Sequence, residues 1–267
     1  TSTLVNVTTS LMRVLGGLGS FVWWDTLRVM KQFKNKKFNC FKSLTLHSKI
    51  VISSTLVLIF GGALLIFLFE YSNADTIGAY NIFDKIQISI FQSITTRTAG
   101  FATIPQENLT DQSVIICLIL MFIGGSPVGT AGGIKTITAV SLLAIAIASI
   151  RNKKEVVLFN RNLSSEITRK AVAVTAMSFM IVMISTILLS LTIDRSIVDI
   201  LYETVSATAT VGLSRNLTPF LNSIGKIIVI ITMYLGRVGP ISLAIAFKSK
   251  KESSNIILNP TEEVSIG

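Results

Sequence analysis

Apolar and polar positions alternate along the chain in long blocks. Residues 50–69, IVISSTLVLIFGGALLIFLF, are twenty uncharged positions, and residues 171–193, AVAVTAMSFMIVMISTILLSLTI, are twenty-three. At about 1.5 Å per residue each is long enough to cross roughly 30 Å of bilayer hydrocarbon, so the pattern predicts two spanning helices. Residues 114–150 form a third block of 37 positions. As one helix it would measure about 55 Å and overshoot a bilayer unless tilted, kinked or broken. The glycine cluster of GGSPVGTAGGIKT, Gly124 to Thr136, is where it is predicted to break. A fourth block runs from about Phe220 to Phe247 and is interrupted by GRVGP, while the first thirty residues read as the end of another helix closing with GGLGSFVWWD.

Two shorter segments have a different character. IFDKIQISIFQSI at 82–94 and IVDILYETVSA at 197–207 carry apolar residues at helical spacing but are too short and too polar to span. Each is followed by a threonine-rich turn and a glycine, the order of a half-helix that enters the membrane and an extended segment that leaves it. Thr98-Ala99-Gly100-Phe101 superposes on Thr210-Val211-Gly212-Leu213 at an offset of 112, which also sets Gly124 on Gly236 and Gly125 on Arg237, so the glycine-proline breaks of the two long helices are expected to coincide to within a residue. A helix, pore loop, helix unit is therefore predicted twice, in parallel orientation. The fold class expected is an all-α membrane protein. Its two complete repeats, 50–150 and 171–247, follow the end of a preceding helix at 1–29, with basic loops at 30–49 and 151–170 and a tail at 248–267.

Such turns have a chemistry of their own. Dehydrating K⁺ takes a ring of oxygens, and Thr-x-Gly turns can aim successive carbonyls at one axis. Glycine belongs where φ leaves the ordinary regions and a Cβ would obstruct. One such turn could be no more than an extracellular bend; two of them, each behind a half-helix and ahead of a broken helix, favour a pore.

Charge changes the picture mainly by fixing orientation. The chain has a mean hydropathy of +0.67 and a net charge of +10. Its basic residues sit between apolar runs and not on an aromatic-interleaved face, so nucleic acid is not a predicted partner. Lys31, Lys34, Lys36, Lys37, Lys42 and Lys49 occupy the loop 30–49 without an acid, and 151–170 is also basic. The positive-inside rule puts both in the cytoplasm together with the tail, and leaves the acidic stretch 70–113 outside. Cys40, Cys117 and the single histidine His47 supply neither a disulfide framework nor a zinc site nor a Ser-His-Asp triad, and no enzyme activity is expected. GGIKT is not a phosphate loop, because Ile134 separates the glycine from Lys135. The chain starts at Thr1, enters an apolar segment almost at once and reads as a fragment.

Together, TTRTAGF, GGSPVGTAGGIKT, TVGLS, GRVGP and the ending NPTEEVSIG resemble the Trk/Ktr/HKT superfamily of potassium transporters, specifically its Ktr-type membrane subunit, over essentially the whole chain. The resemblance implies four repeats around one pore, of which this chain holds the third and fourth, the N-terminal half being missing. It implies a filter lined by the backbone of Thr98, Ala99, Gly100, Phe101, Thr210, Val211, Gly212 and Leu213. It further implies an intramembrane gate at 124–133, with Gly124, Gly125, Ser126, Pro127, Gly129, Thr130, Gly132 and Gly133, flanked by Lys135 and Arg237. K⁺ is the implied cargo, Na⁺ a second or coupled one, and no organic cofactor is expected. The implied partners are membrane lipid, a second copy of the parent subunit and a cytoplasmic nucleotide-binding regulatory ring. The implied location is a bacterial plasma membrane.

Individual residues carry further expectations. Close packing of small residues is the simpler reading of the glycine cluster, but five glycines with Pro127 exceed what packing requires. Arg97, beside the filter, is expected to turn behind the loop toward an acid or outward, since a cation on the ion path would repel K⁺. Arg237 is expected to bond the freed carbonyls of 124–133, and Asp25 to mark an interfacial helix end. Two other functions stand as alternatives. An alternating-access symporter would use inverted repeats where these are parallel; a non-conducting scaffold would suit a chain with half the repeats.

Overall fold

The computed structural model describes residues 3–32, 40–127, 132–153 and 155–239. It is mostly helical. In chain order the helices are α1 (Thr3–Gly17), α2 (Ser20–Gln32), the short α3 (Cys40–Ser43), α4 (Leu46–Glu70), α5 (Ile82–Thr95), α6 (Asp111–Phe122), α7 (Thr136–Ile150), α8 (Ser165–Ser190), α9 (Ile197–Thr208) and α10 (Ser223–Val238). One small departure from an all-α fold is an antiparallel hairpin between α7 and α8, β1 (Val157–Leu158) with β2 (Arg161–Asn162).

Helix starts follow the polar residues ahead of each apolar run. The hydroxyls of Thr45, Thr110 and Ser164 accept from the amides of Ser48, Ser113 and Ile167 at the heads of α4, α6 and α8, and the Asn222 amide oxygen does the same for Gly225 in α10. Helices α4 and α8 are each long and apolar enough to cross a membrane. The third apolar block is split into α6 and α7 across the glycine cluster.

Helix α4 packs on both α5 and α6, and α8, α9 and α10 pack on one another; α6 on α9, α4 on α7 and α7 on α8 join the groups. The main buried cluster runs through this junction, from Ile66 and Ile88 through Val114 and Met121 to Tyr202, Val205 and Val211. Large apolar residues also cover outward faces: Val57, Phe60 and Leu64 on α4, Phe179 and Met180 on α8, Ile227 and Ile230 on α10. Apolar faces of this extent, on helices of membrane length, suit contact with lipid or further helices rather than water.

Three expectations need correction. The first thirty residues are two helices, not one helix end: the chain breaks at Gly17–Gly19, where Gly19 has φ +80°, and α2 then continues to Gln32. Asp25 is no helix terminus. It is buried within α2, where its carboxylate accepts the backbone amide and hydroxyl of Thr45, both at 2.8 Å, and a guanidinium hydrogen bond from Arg28. The breaks of the two units do not coincide either. Helix α6 stops at Phe122, but α10 runs on to Val238, so that Gly236 and Arg237, opposite Gly124 and Gly125, are helical. Gly236 is pressed against the backbone of Thr208, a contact that a glycine inside a regular helix makes without breaking it.

Candidate functional site

Both threonine-glycine turns are built alike. After α5, the amides of Ala99 and Gly100 turn back to the Thr95 carbonyl, and φ is positive at Thr98 (+70°) and Gly100 (+76°) but not at Ala99. After α9, the Thr210 amide bonds the Ala207 carbonyl and the Val211 amide the Ser206 carbonyl, with φ positive at Thr210 (+53°) and Gly212 (+93°) but not at Val211. Backbone that alternates in this way gathers its N–H groups on one side and leaves its carbonyls on the other. A hydroxyl from the last helical turn secures each. Thr95 Oγ1 donates to the Phe101 carbonyl at 2.6 Å and accepts from the Phe101 amide at 3.0 Å, and Ser206 Oγ accepts from the Gly212 amide at 3.2 Å.

The turns, 112 residues apart, meet in space. A Cβ on Gly100 would lie 2.5 Å from the Val211 carbonyl oxygen, and one on Gly212 would lie 3.6 Å from the Gly100 Cα. Glycine at 100 is thus required twice over, by its left-handed φ and by the neighbour's carbonyl. Phe101 is exposed while its counterpart Leu213 is buried.

A polar cluster that sequence reasoning missed locks the two units behind the turns. Gln92 and Gln106 exchange amide hydrogen bonds, Tyr202 donates to the Gln106 side chain at 3.0 Å, and Arg215 donates to the Gln106 carbonyl while its Nε holds Asp199 at 2.7 Å. The available signal was Gln92 and Tyr202 on short helices too polar to span, since buried polar side chains need partners.

The glycine-rich break lies against both turns. Its two ends are zipped: the Gly124 amide donates to Ile134 O, the Ile134 amide to Phe122 O and the Thr136 amide to Gly125 O, all at 2.9–3.0 Å. These bonds satisfy backbone groups that the interrupted helix frees. Gly132 packs against Ala209 and Thr210 so closely that a Cβ there would collide with the Thr210 hydroxyl, and Gly133 adopts φ +69°. Ser126 is buried and reaches the first break, its amide on Gly17 O at 3.2 Å and its hydroxyl on Leu18 O at 2.5 Å. Pro127 forms a turn beside it; Gly129 and Thr130 lie outside the described residues. Lys135 caps the start of α7 with extended backbone, near enough to Arg237 for the two charges to interact.

Arg97 does something else than expected. It is buried, turns neither outward nor to an acid among its described hydrogen bonds, and donates from Nη2 to the Gly124 carbonyl at 3.3 Å. A second cation, Arg13 of α1, donates to the Thr98 hydroxyl at 2.6 Å.

A helical membrane protein whose candidate site is made of paired glycine turns and a broken helix is the class defined by these features. Residues 1–258 match the family model TrkH, described as cation transport protein, and the chain belongs to that family, one of cation transporters and not of enzymes. It is 38% identical over 252 residues to the Ktr system potassium uptake protein B of Bacillus subtilis, covering 94% of this chain and 54% of that protein. It is 33% identical over 264 residues to the Ktr system potassium uptake protein B of Vibrio alginolyticus, covering 99% and 56%. To the potassium/sodium uptake protein NtpJ of Enterococcus hirae it is 32% identical over 270 residues, covering 99% and 57%. The crystal structure of the potassium transporter TrkH from Vibrio parahaemolyticus shares the fold, with a TM-score of 0.73 at 15% identity over 92% of this chain and 52% of that one. The chain thus spans about half the length of these relatives.

Proposed function

We propose that this chain forms part of the conduction path of a potassium uptake system in a bacterial plasma membrane, its two threonine-glycine turns serving as filter strands and residues 124–133 as a gate beneath them. The observation that carries this reading is the meeting of Gly100 with Val211 and Gly212, directly beside a break whose Gly132 touches Thr210. Backbone oxygens of Thr98, Ala99, Gly100, Phe101, Thr210, Val211, Gly212 and Leu213 would replace water around the ion. Helices α5 and α9 end at the turns and aim the negative ends of their dipoles there. Lys135 and Arg237 stand at the gate, where the unwound segment needs protein or water around it.

Relatives named as parts of a Ktr system support a multi-subunit assembly. For this chain the proposed surroundings are lipid, a second copy of the parent subunit and a cytoplasmic regulatory ring. Orientation with loops 30–49 and 151–170 inside follows from their positive charge. The name of the Enterococcus relative makes Na⁺ the competitor to measure.

The test uses a complete transporter containing this half, reconstituted in vesicles. K⁺ uptake with a preference over Na⁺ is expected, and Gly100→Ala is expected to lower the K⁺ to Na⁺ ratio because its methyl meets the Val211 carbonyl. An unchanged ratio would remove these turns from the ion path.

A further inference from the structure

Four contacts, none of them between helices packed side by side, form a closed circuit. Arg13 of α1 holds the Thr98 hydroxyl on the first turn. The preceding residue, Arg97, holds the Gly124 carbonyl where α6 breaks. Two residues on, Ser126 holds Gly17 and Leu18 where α1 breaks. From Gly17, α1 leads back one turn to Arg13. Inside the circuit is a cavity of about 20 Å³ lined by Arg13, Gly17, Thr55, Arg97 and Gly125. That is room for one water molecule. Arg97 Nε and Thr55 Oγ1 are buried beside it without a hydrogen-bond partner.

We propose that Arg97 is a positioning residue that couples the first filter turn to the gate, with Arg13 and Ser126 closing the linkage through the break at Gly17–Gly19. The inference rests on the filter and gate reading above and adds to it a mechanical connection. The guanidinium is suited to this task. It stays charged, it is planar, and its five donors diverge from a rigid fork, so one side chain can hold a carbonyl at Nη2 while Nε serves the cavity. It is also short of alternatives: buried as it is, releasing Gly124 would leave a charged donor without compensation in a low-dielectric interior. A gate movement that displaces Gly124 therefore pulls on the backbone of Arg97, one residue from Thr98. In the other direction, a shift of Thr98 is felt by Arg13 and hence by the α1 break.

The experiment compares the complete transporter with its Arg97→Gln, Arg97→Lys and Ser126→Ala variants in vesicles and by hydrogen exchange of the same purified proteins. Arg97→Gln is expected to lower the K⁺ to Na⁺ uptake ratio by about fivefold or more, the scale of a typical coupling between two sites. It is also expected to speed exchange in residues 98–101 and 122–126 together. Arg97→Lys keeps the charge without the fork and is expected to shift both readouts in the same direction, so the proposal survives a failure of the glutamine variant to fold. Ser126→Ala removes the hydroxyl bond to Leu18 and keeps the amide bond to Gly17, so it weakens only the hold of the gate on the α1 break; it is expected to change the uptake rate while leaving the ion ratio as in the wild type. A purely structural role for Arg97 would reduce the amount of folded protein without altering the ratio per folded transporter. The coupling is overturned if both Arg97 variants keep the wild-type ratio, or if exchange accelerates in only one of the two segments. If the wild-type protein carries no K⁺, the functional reading fails by itself, and the exchange comparison still decides whether the two segments are linked.

Discussion

At Thr95 one hydroxyl carries two roles, donating to the carbonyl and accepting from the amide of Phe101. Valine has nearly the same shape and can do neither. Thr95→Val is expected to cost about 1–2 kcal/mol for the two lost bonds, measurable as a lower midpoint of heat denaturation in the complete transporter. Because the bonds secure the turn that holds Gly100, a lower K⁺ to Na⁺ uptake ratio should accompany it. Gly132 makes the opposite kind of test. A methyl there meets the Ala209 carbonyl and the Thr210 hydroxyl, neither at the end of a long flexible chain that could swing away. Gly132→Ala should push the break off the second turn and speed K⁺ uptake; uptake at the wild-type rate or slower would mean that the segment does not obstruct the path. The glycines of both turns were legible in the sequence, since a left-handed φ favours glycine; the left-handed φ of Thr98 and Thr210 was not, because β-branched residues rarely adopt it. Nor was the end point of Arg97. Its partner is a carbonyl 27 residues away that is free to accept only because a helix stops there.

Among the elements, the long helix α4 is held at both ends by a buried carboxylate acting on a helix cap. Asp25 accepts the amide and hydroxyl of Thr45, which caps α4, and Glu70, its last residue, accepts the amide and hydroxyl of Thr110, which caps α6. Each carboxylate thereby fixes where one helix meets the next. Asp25→Ala and Glu70→Ala should each destabilise by about 1–3 kcal/mol per charged hydrogen bond lost, read in the same denaturation assay. The two sites lie a 25-residue helix apart, about 37 Å, so the losses should add in the double variant. These anchors escaped sequence reading because Asp25 follows two tryptophans, a pattern typical of a helix end at the membrane interface. The break at Gly17–Gly19 was hidden for the same reason: a stop and an interruption look alike until the chain beyond is seen to resume its helix. By contrast, the split of residues 114–150 was legible, because excess length called for a tilt, kink or break and the glycine cluster at 124–133 marked where a break would fall. The starts of α6 and α10, Asp111 and Ser223, lie a few residues from the block edges read at 114 and about 220, and they differ by the same offset of 112 found in the turns.

For the whole molecule, the decisive fact is how much of a ring two turns can make. Gly100 and Val211 touch at one point, so on the proposed filter reading their carbonyls can line only part of the circumference that a dehydrated ion needs. Along α1, Leu4, Val5, Val7, Leu11 and Met12 are exposed, and a broad groove of about 510 Å³, lined mainly by apolar residues with Thr3, Asn6, Ser10 and Gln87 among them, runs between α1 and α5. Both features are those of a surface meant to be covered, and the relatives, about twice as long, carry further chain that could cover it. In a bacterium that lacks potassium uptake, this chain expressed alone is therefore expected not to restore growth on low K⁺, whereas co-expression with the N-terminal half of a close relative is expected to do so. The comparison should be made at matched membrane levels of the chain, since the uncovered α1 face would also favour its degradation. Growth from the chain alone would mean that copies of it complete the ring by themselves. Failure of the pair, with both halves present in the membrane and associated, would favour a scaffold that does not conduct.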